Sequence, residues 1–168
     1  LRRSTDELLR IINDIIDFTK IESGNLVLDE IPFSLREEIK YCQDLARTGN
    51  VESQVALNCV VDDKVPDKVI GDPFRLRQIL TNFLRHSAEN TIKGQISLNC
   101  RLISITDGVM RLGFDLKDTG KSFDGATLKK IFGEYVNIES KVHQEEDKSG
   151  FGTILARQLI ELMGGEFS

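Results

Sequence analysis

Apolar and polar positions alternate with the period of a helix over residues 4–23. Apolar side chains recur every three or four residues, and acidic or amide side chains take the remaining face. Gly24 follows, where the end of a helix favours a left-handed residue. The apolar stripe is wide, so it predicts a bundle helix that packs against a second copy of the chain or an upstream helix. It comprises Leu8, Leu9, Ile11, Ile12, Ile15, Ile16, Phe18 and Ile21.

Two further helices are predicted by their N-terminal capping signals. Ser34, followed three residues later by Glu37, forms a capping box and predicts a helix that runs to about Arg47. Asp72 precedes Pro73, which combines a capping side chain with a proline at the first helical position. The apolar residues that follow at helical spacing predict its buried face: Leu76, Ile79, Leu80, Phe83, Leu84 and Ala88.

Large apolar residues at every second position predict the strands. Residues 55–61 form one such run, and the runs 96–102 and 110–116 flank the turn signal Thr106-Asp107-Gly108. The last two runs therefore predict a hairpin. A shorter apolar run over 26–28 is a candidate edge strand.

The last third of the chain begins with polar sequence. A short helix is predicted over 126–132, and the polar stretch 133–150 has few apolar anchors and predicts a mobile lid. A final helix is predicted over 152–163, ending at Gly164-Gly165.

Composition narrows the class of protein. The chain has 168 residues, enough for one domain of roughly 150 residues with an appended element. Apolar residues make up 40% and charged residues 29%, which favours a folded core over disorder. The net charge of -5 argues against nucleic acid and anionic membrane as partners. The sequence contains no run of about 18 apolar residues, so it predicts no membrane span.

Cysteine and histidine usage argues against disulfide and zinc frameworks. Cys42, Cys59 and Cys100 are odd in number and widely spaced, so we expect reduced core thiols in a cytosolic setting. His86 and His143 are the two histidines of the sequence, too few for a site built from clustered His and Cys.

Three short motifs could carry chemistry. Ser149-Gly150-Phe151-Gly152 opens the last helix, where backbone amides can approach a phosphate, although such glycines also suit an ordinary loop. Asp118-Thr119-Gly120 ends a strand. The Asp118 carboxylate could accept a hydrogen bond from the amino group of adenine, and Gly120 would leave room for the flat ring. Alternatively, the triplet could simply form the turn that ends the strand. Asn82, His86 and Glu89 share one helix face, which faces either a cleft or solvent.

Asp-Thr-Gly is also the catalytic triplet of aspartic proteases. That class requires a mostly β chain that supplies paired carboxylates, and the predicted helices contradict it. We therefore expect no protease chemistry at Asp118.

Taken in order, these motifs resemble the sensor histidine kinases, in particular the hybrid type. The resemblance covers nearly the whole chain and implies an α/β fold. The expected form is a two-layer α/β sandwich of the Bergerat or histidine-kinase ATPase type, in which helices cover one face of a mixed sheet and a bundle helix precedes it. The segments that carry the resemblance are LLRIINDIIDFTKIESG (8–24), GDPFRLRQILTNFLRHSAENT (71–91), Asp118-Thr119-Gly120, Ile131-Phe132 and GFGTILARQLIELMGG (150–165).

The same resemblance implies a domain division. Residues 1–24 would be part of the second helix of the dimerisation and phosphotransfer hairpin. Residues 25–168 would be the ATP-binding catalytic domain, with its C-terminal strands truncated. In this family the phosphoacceptor histidine lies on the first hairpin helix, and neither His86 nor His143 has that context. We therefore expect the accepting histidine outside this chain and assign no catalytic residue within it.

An ATP site with Mg²⁺ is also implied by the resemblance. Asp118 would hold the adenine amino group beside Gly120, and Gly150 and Gly152 would flank the phosphates. Asn82 matches the first asparagine of the family's asparagine box, near the phosphates, and is the expected metal ligand.

Several positions depart from the family pattern. His86, also assigned to the ATP site, stands where the family has a second, magnesium-coordinating asparagine, and imidazole suits softer metals. Glu89 replaces a lysine, so its charge would repel a polyphosphate. Ser122 replaces a glycine of the adenine box, and Lys148 and Thr153 replace a glycine and a leucine near the phosphate loop.

Two functions are compatible with these matches and departures. One is the catalytic, ATP-binding region of a two-component sensor histidine kinase, which transfers phosphoryl from ATP to a histidine in a phosphorelay. The alternative is a degenerate, pseudokinase-like regulatory or dimerisation module with weak or no ATP binding. As partners we expect a second copy through the N-terminal helix and a response regulator or receiver domain, with no nucleic acid and no direct membrane contact. The expected location is cytoplasmic, and membrane anchoring of the full-length protein is left open.

Overall fold

The computed structural model describes residues 2–48, 54–120 and 150–167. Within these ranges the chain forms α1 (Arg2–Glu22), β1 (Ile31–Ser34), α2 (Leu35–Thr48), β2 (Gln54–Val61), β3 (Lys68–Gly71), α3 (Pro73–Asn90), β4 (Lys93–Thr106), β5 (Val109–Asp118) and α4 (Gly150–Leu162). The predicted helix over 126–132, the polar stretch up to residue 149, and Ser122 lie outside the described residues.

The described residues divide into two compact units. The first contains α1 and α4, and the second contains residues 29–120. Within the first unit α1 contacts α4, and the Gln158 side-chain amide donates a 3.1 Å hydrogen bond to the Glu22 carboxylate. Five apolar side chains of α1 remain 44–57% exposed, and the partner predicted for this face stays a prediction: Leu8, Leu9, Ile12, Ile15 and Ile16.

The predicted helix boundaries are confirmed at α1 and α3. Gly24 follows α1 with φ of 66°, and the Asp72 carboxylate accepts the Arg75 N–H at 2.9 Å at the start of α3. Among the described helices, none combines the length and apolar character needed to cross a membrane.

The start of α2 is capped by a residue that the capping box did not include. Ser34 Oγ accepts the Glu37 N–H at 3.2 Å, as predicted. The Asp67 carboxylate accepts the Arg36 N–H at 3.1 Å and the Ser34 hydroxyl at 3.0 Å. These two hydrogen bonds hold the pKa of the Asp67 carboxyl below its usual range, and the bond from the Arg36 N–H has the larger effect. Asp67 lies 31 residues from Arg36, so a local pattern could not reveal it.

A mixed sheet forms the centre of the second unit, as predicted. β2 pairs in parallel with β4, and β4 pairs antiparallel with β5, in the order β2-β4-β5. The hairpin turn uses Asp107 (φ 52°) and Gly108 (φ 79°), both left-handed, which matches the twist of the flanking strands.

Helices α2 and α3 cover one face of this sheet. Burial on β4 falls on every second residue, Ile96, Leu98 and Cys100, so one side of the strand faces the core. α2 contacts β2, while α3 contacts β4 and β5. The buried cluster between these layers comprises Leu35, Ile39, Cys42, Leu57, Val65, Leu76, Leu80, Leu84, Ile96, Leu98 and Cys100.

Strands β1 and β3 form a two-stranded sheet that the sequence did not predict. The prediction of a strand over 26–28 is wrong, because the Leu26 N–H donates to the Lys20 carbonyl and this backbone completes the end of α1. Instead β1 pairs antiparallel with β3, with Pro32 opposite Ile70. Proline suits a strand with one described neighbour, since it has no N–H to donate to a second.

The three cysteines are free thiols, as expected, with Cys42 and Cys100 fully buried. Burial raises the pKa of Cys42 to about 12 and the pKa of Cys59 and Cys100 to about 11. Because the thiolate is the reactive form, these side chains act as small core residues at neutral pH.

Candidate functional site

The second half of α3 carries polar side chains spaced one turn apart. Asn82, His86 and Asn90 follow one another at intervals of four residues, which places them in one row. Asn82 is buried, and the other two are half-buried. The Asn90 side-chain nitrogen donates to the His86 carbonyl at 2.8 Å and lies 3.1 Å from His86 Nε2. The structure places Asn82 and His86 of the predicted row together with Asn90, whereas the third predicted residue, Glu89, is exposed and pairs with Arg85.

The surroundings of His86 favour its neutral form. Burial is the largest cause that lowers the pKa of its imidazole; the Arg85 cation also lowers this pKa, while the charges of Glu89 and Asp118 oppose the shift. Because an amide nitrogen only donates, the contact with Asn90 is a hydrogen bond when Nε2 carries no proton. A neutral imidazole offers nitrogen rather than the hard oxygen that Mg²⁺ prefers.

The charge of Glu89 is compensated within α3. The Arg85 guanidinium, one turn earlier, lies 3.0 Å from the Glu89 carboxylate. Both side chains are partly exposed to solvent, so the pair adds only about 0.3–0.5 kcal/mol to stability. It nevertheless offsets the negative charge that the sequence suggested would repel a polyphosphate.

Asp118 ends β5 with a carboxylate that two donors orient. The Ser87 hydroxyl donates to Oδ2 at 2.8 Å, and the Gly120 N–H donates to Oδ1 at 2.9 Å. Ser87 lies on α3 beside His86, so this bond joins the helix to the end of the strand. Asp118 as a whole is exposed, and each carboxylate oxygen keeps capacity to accept a further hydrogen bond.

Gly120 brings its backbone against the end of α3. An ideal Cβ at this position would lie 2.7 Å from Thr91 Oγ1, and 2.6 and 2.9 Å from the Asn90 carbonyl oxygen and carbon. Thr91 is 2% exposed, and its hydroxyl is a buried polar atom without a hydrogen-bond partner in the described structure. The carboxylate of Asp118 and this hydroxyl therefore border the same glycine.

Thr119 fastens the segment after β5 to the start of β4. Its N–H donates to the Gln95 carbonyl at 3.1 Å, and its Oγ1 accepts the Gln95 N–H at 3.0 Å. Gly94 makes room for this contact, because an ideal Cβ on it would overlap Thr119 Oγ1. These two hydrogen bonds fix the backbone of Thr119 and therefore the position of its neighbours Asp118 and Gly120.

Four of the six predicted site residues lie in the second unit. Asn82 and His86 are on α3, while Asp118 and Gly120 are at the end of β5. The other two, Gly150 and Gly152, lie in the first turn of α4, in the first unit. The assignment of these glycines to phosphate and of Asn82 to a metal stays a prediction.

Two residues of the site, Ser87 and Thr91, were not singled out from the sequence. Ser87 follows the buried Leu84 by three positions on α3, and Thr91 is the buried residue that caps the end of this helix four residues later. Buried polar side chains usually have a specific partner. Small polar residues at core-facing helix positions were the signal that could have found them.

Known proteins match both the site region and the whole chain. A family model for histidine kinase-, DNA gyrase B-, and HSP90-like ATPases matches residues 71–168, more than half of the chain. The sensor protein GacS of Pseudomonas syringae pv. syringae is 34% identical over 166 residues, which cover 99% of this chain and 18% of GacS. BarA, a signal transduction histidine-protein kinase of Escherichia coli K12, is 30% identical over 168 residues, which cover 100% of this chain and 18% of BarA. The chain thus spans less than a fifth of these relatives.

Solved structures share the fold. Full-length ShkA in complex with AMPPNP superposes with a TM-score of 0.74 at 26% identity, covering 97% of this chain and 32% of ShkA. The Acinetobacter baumannii histidine kinase AdeS has a TM-score of 0.68 at 12% identity, covering 95% of this chain and 69% of the AdeS chain. At this identity the likeness supports the fold alone. With the mixed sheet, the helices on one face and the matched segments, the chain belongs to the histidine kinase-, DNA gyrase B- and HSP90-like ATPase family, as the ATP-binding catalytic domain of two-component sensor histidine kinases.

Proposed function

We propose that this chain binds ATP at the end of β5 and that the whole protein transfers the γ-phosphoryl group to a histidine on a separate helix. The observation that carries the proposal is the Asp118 carboxylate, oriented by Ser87 and Gly120 beside the buried Thr91 hydroxyl. One edge of adenine presents an amino donor next to a ring acceptor. A carboxylate beside a hydroxyl offers the complementary pair.

The residues present fit an adenine base. Thr91 supplies a buried hydroxyl whose hydrogen-bonding capacity is unused in the described structure. Asp118 supplies acceptor capacity on an exposed residue whose carboxylate plane is already fixed by two donors. Binding at Asp118 would require little reorganisation of that side chain, because two donors already order it. Full-length ShkA was solved in complex with AMPPNP, an analogue of ATP, which supports the same ligand class.

Contacts to phosphate and metal are proposed separately for the α3 row in the second unit and for the start of α4 in the first unit. Asn82 carries an amide oxygen of the kind that binds Mg²⁺, whereas the neutral His86 imidazole does not fit that ion. Bound Mg²⁺ would neutralise charge on the polyphosphate. We assign its protein ligand to Asn82. Within the other unit, the backbone N–H groups of Gly150 and Gly152 open α4 and suit a phosphate by themselves. Glu89 adds little repulsion because Arg85 pairs with it.

The partners proposed for the whole protein follow from α1 and from the relatives. The exposed apolar face of α1 would pack against a second copy, forming a homodimer. A response regulator or receiver domain would accept the phosphoryl group, on the cytoplasmic side. A degenerate module without ATP binding would use the same α1 surface, so nucleotide binding separates the two functions.

Calorimetric titration of the 168-residue chain with Mg-ATP tests the proposal. Asp118→Asn should weaken binding by about 10-fold or more, because a hydrogen bond to a charged acceptor is worth roughly 1.5–3 kcal/mol. Asp115→Asn is the matched control, since Asp115 lies on the same strand and pairs with Arg101 at 2.9 Å. The control should bind within about twofold of wild type. An absence of binding by the wild type at millimolar ATP would refute the proposal and support the degenerate module.

A further inference from the structure

We infer that Ser87 is a positioning residue whose hydroxyl fixes the Asp118 carboxylate in the orientation that reads the exocyclic amino group of a purine base. The inference rests on the proposed adenine site and deepens it by naming the residue that sets base selectivity. It is carried by the bond between the two side chains, 2.8 Å from Ser87 Oγ to Asp118 Oδ2.

The Ser87 hydroxyl does not make the bond that is usual inside a helix. Serine and threonine hydroxyls there commonly donate to the carbonyl four residues earlier. Thr81, on the same helix, does so, with its hydroxyl 2.7 Å from the Arg77 carbonyl. Ser87 instead donates across the structure to a residue 31 positions away. The bond is therefore a specific connection between α3 and the end of β5.

Burial makes this connection persistent. Ser87 is 3% exposed, so its hydroxyl has little access to water as a substitute partner. Leaving a buried hydroxyl without a hydrogen bond is unfavourable, which favours the bond to Asp118. The backbone of Ser87 is fixed as well, because its carbonyl accepts the Thr91 N–H at 3.0 Å at the end of α3.

Two donors are needed to orient the carboxylate plane. The Gly120 N–H holds Oδ1, and the Ser87 hydroxyl holds Oδ2. With the Gly120 bond alone, the exposed carboxylate could rotate about that contact. An amino group of a base would then meet an acceptor that first has to be ordered, at a cost in affinity. Ser87 thus acts on the base through Asp118, without touching the ligand itself.

The experiment compares ADP with inosine diphosphate, in which a carbonyl replaces the amino group of adenine. Wild type should bind ADP about 10-fold more tightly than inosine diphosphate. Ser87→Ala should weaken ADP about 5- to 10-fold and leave inosine diphosphate within about twofold, so that the preference is lost. Ser87→Cys keeps nearly the same volume but is a poor donor, and it should lose the preference equally. Ser97→Ala, which removes a hydroxyl 3.5 Å from the Lys117 carbonyl on β5, should keep it.

The outcomes separate this inference from the function on which it rests. An ADP preference retained in Ser87→Cys, or in a folded Ser87→Ala, overturns the positioning role and leaves ATP binding intact. A wild type that binds both nucleotides equally overturns both the role of Asp118 and that of Ser87. Thermal melting of each variant shows whether it is folded, and if Ser87→Ala is not, the nearly isosteric cysteine variant decides the question alone.

Discussion

Gly120 lies so close to Asn90 that an ideal Cβ on the glycine would be 2.6 Å from the Asn90 carbonyl oxygen. This approach lets the Gly120 N–H reach Asp118 while the backbone rests on the last turn of α3. The end of the strand and the end of the helix are therefore fitted to each other without an intervening side chain. The same junction carries the carboxylate and the buried hydroxyl of the proposed adenine site.

Gly120→Ala should damage both stability and binding. The added methyl group meets backbone atoms, which cannot move aside as a flexible side chain would, so a loss of about 1–3 kcal/mol in the free energy of unfolding is expected. Chemical denaturation and ATP calorimetry measure the two effects. Gly71→Ala is the control, because its Cβ would meet Phe33 at an ordinary 3.6 Å. An equal loss in both variants would contradict the close approach.

Gly94→Ala should also destabilise the protein, for two separable reasons. Gly94 has φ of 123°, which strains any residue with a side chain, and a Cβ there would overlap Thr119 Oγ1. We expect a loss of about 2 kcal/mol or more in the free energy of unfolding. In the Gly94→Ala, Thr119→Ala double variant the steric part should be relieved, so the two losses should not add. Additive losses in denaturation experiments would argue against the close contact between Gly94 and Thr119.

Local sequence patterns predicted the elements whose signals are local. The Asp72-Pro73 start of α3, the turn at Asp107-Gly108 and the parity of burial along β4 are all determined by neighbours in the chain. Long-range contacts were the ones missed. β3 is four residues long and is defined by its pairing with β1, and Asp67 caps α2 from 31 residues away.

The same distinction applies to the site. Asp118 and the α3 row could be picked out because a strand end and a helix period are visible in sequence. The helix pattern marks Ser87 as a small polar residue on the core-facing side of α3, but it does not reveal the partner Asp118, which lies 31 residues further along. The sequence argument also left out one charge when it predicted repulsion between Glu89 and a polyphosphate. It did not consider that Arg85, four residues earlier on the helix, pairs with Glu89.

The stability of the protein should fall at alkaline pH, in part through Cys42. The thiol of an exposed cysteine has an ordinary pKa of 9.0, and burial raises the pKa of Cys42 to about 12 in the folded state. Above pH 9 the unfolded chain releases a proton that the folded chain keeps, so stability is lost as the pH rises from 9 towards 12. The slope is at most about 1.4 kcal/mol per pH unit for this group.

Cys42→Ala tests that dependence by denaturation at about pH 8 and about pH 10.5, on either side of the ordinary thiol pKa. The variant should be less stable at the lower pH, because a buried side chain is shortened, and it should lose less stability than wild type on going to the higher pH. All other ionisable groups are the same in the two proteins, so their contribution largely cancels in the comparison. An identical pH dependence in the two proteins would contradict the buried thiol.

His86→Asn combined with Glu89→Lys should strengthen Mg-ATP binding. The asparagine supplies a hard oxygen in place of imidazole nitrogen, and the lysine adds a positive charge near the phosphates. The lysine also gives up the pair with Arg85, which should cost roughly 0.3–0.5 kcal/mol of stability. Calorimetry with Mg²⁺ and with EDTA should show a gain of about 3- to 10-fold that depends on the metal. An unchanged affinity would count against placing α3 beside the phosphates.

The proposed site is tested at atomic level by a crystal structure of the 168-residue chain with ADP bound. We expect the adenine amino nitrogen at about 2.7–3.2 Å from a carboxylate oxygen of Asp118, with Ser87 and Gly120 still bonded to that carboxylate. A nucleotide bound with its base away from Asp118, or crystals grown at millimolar ADP that contain no nucleotide, would contradict the adenine site.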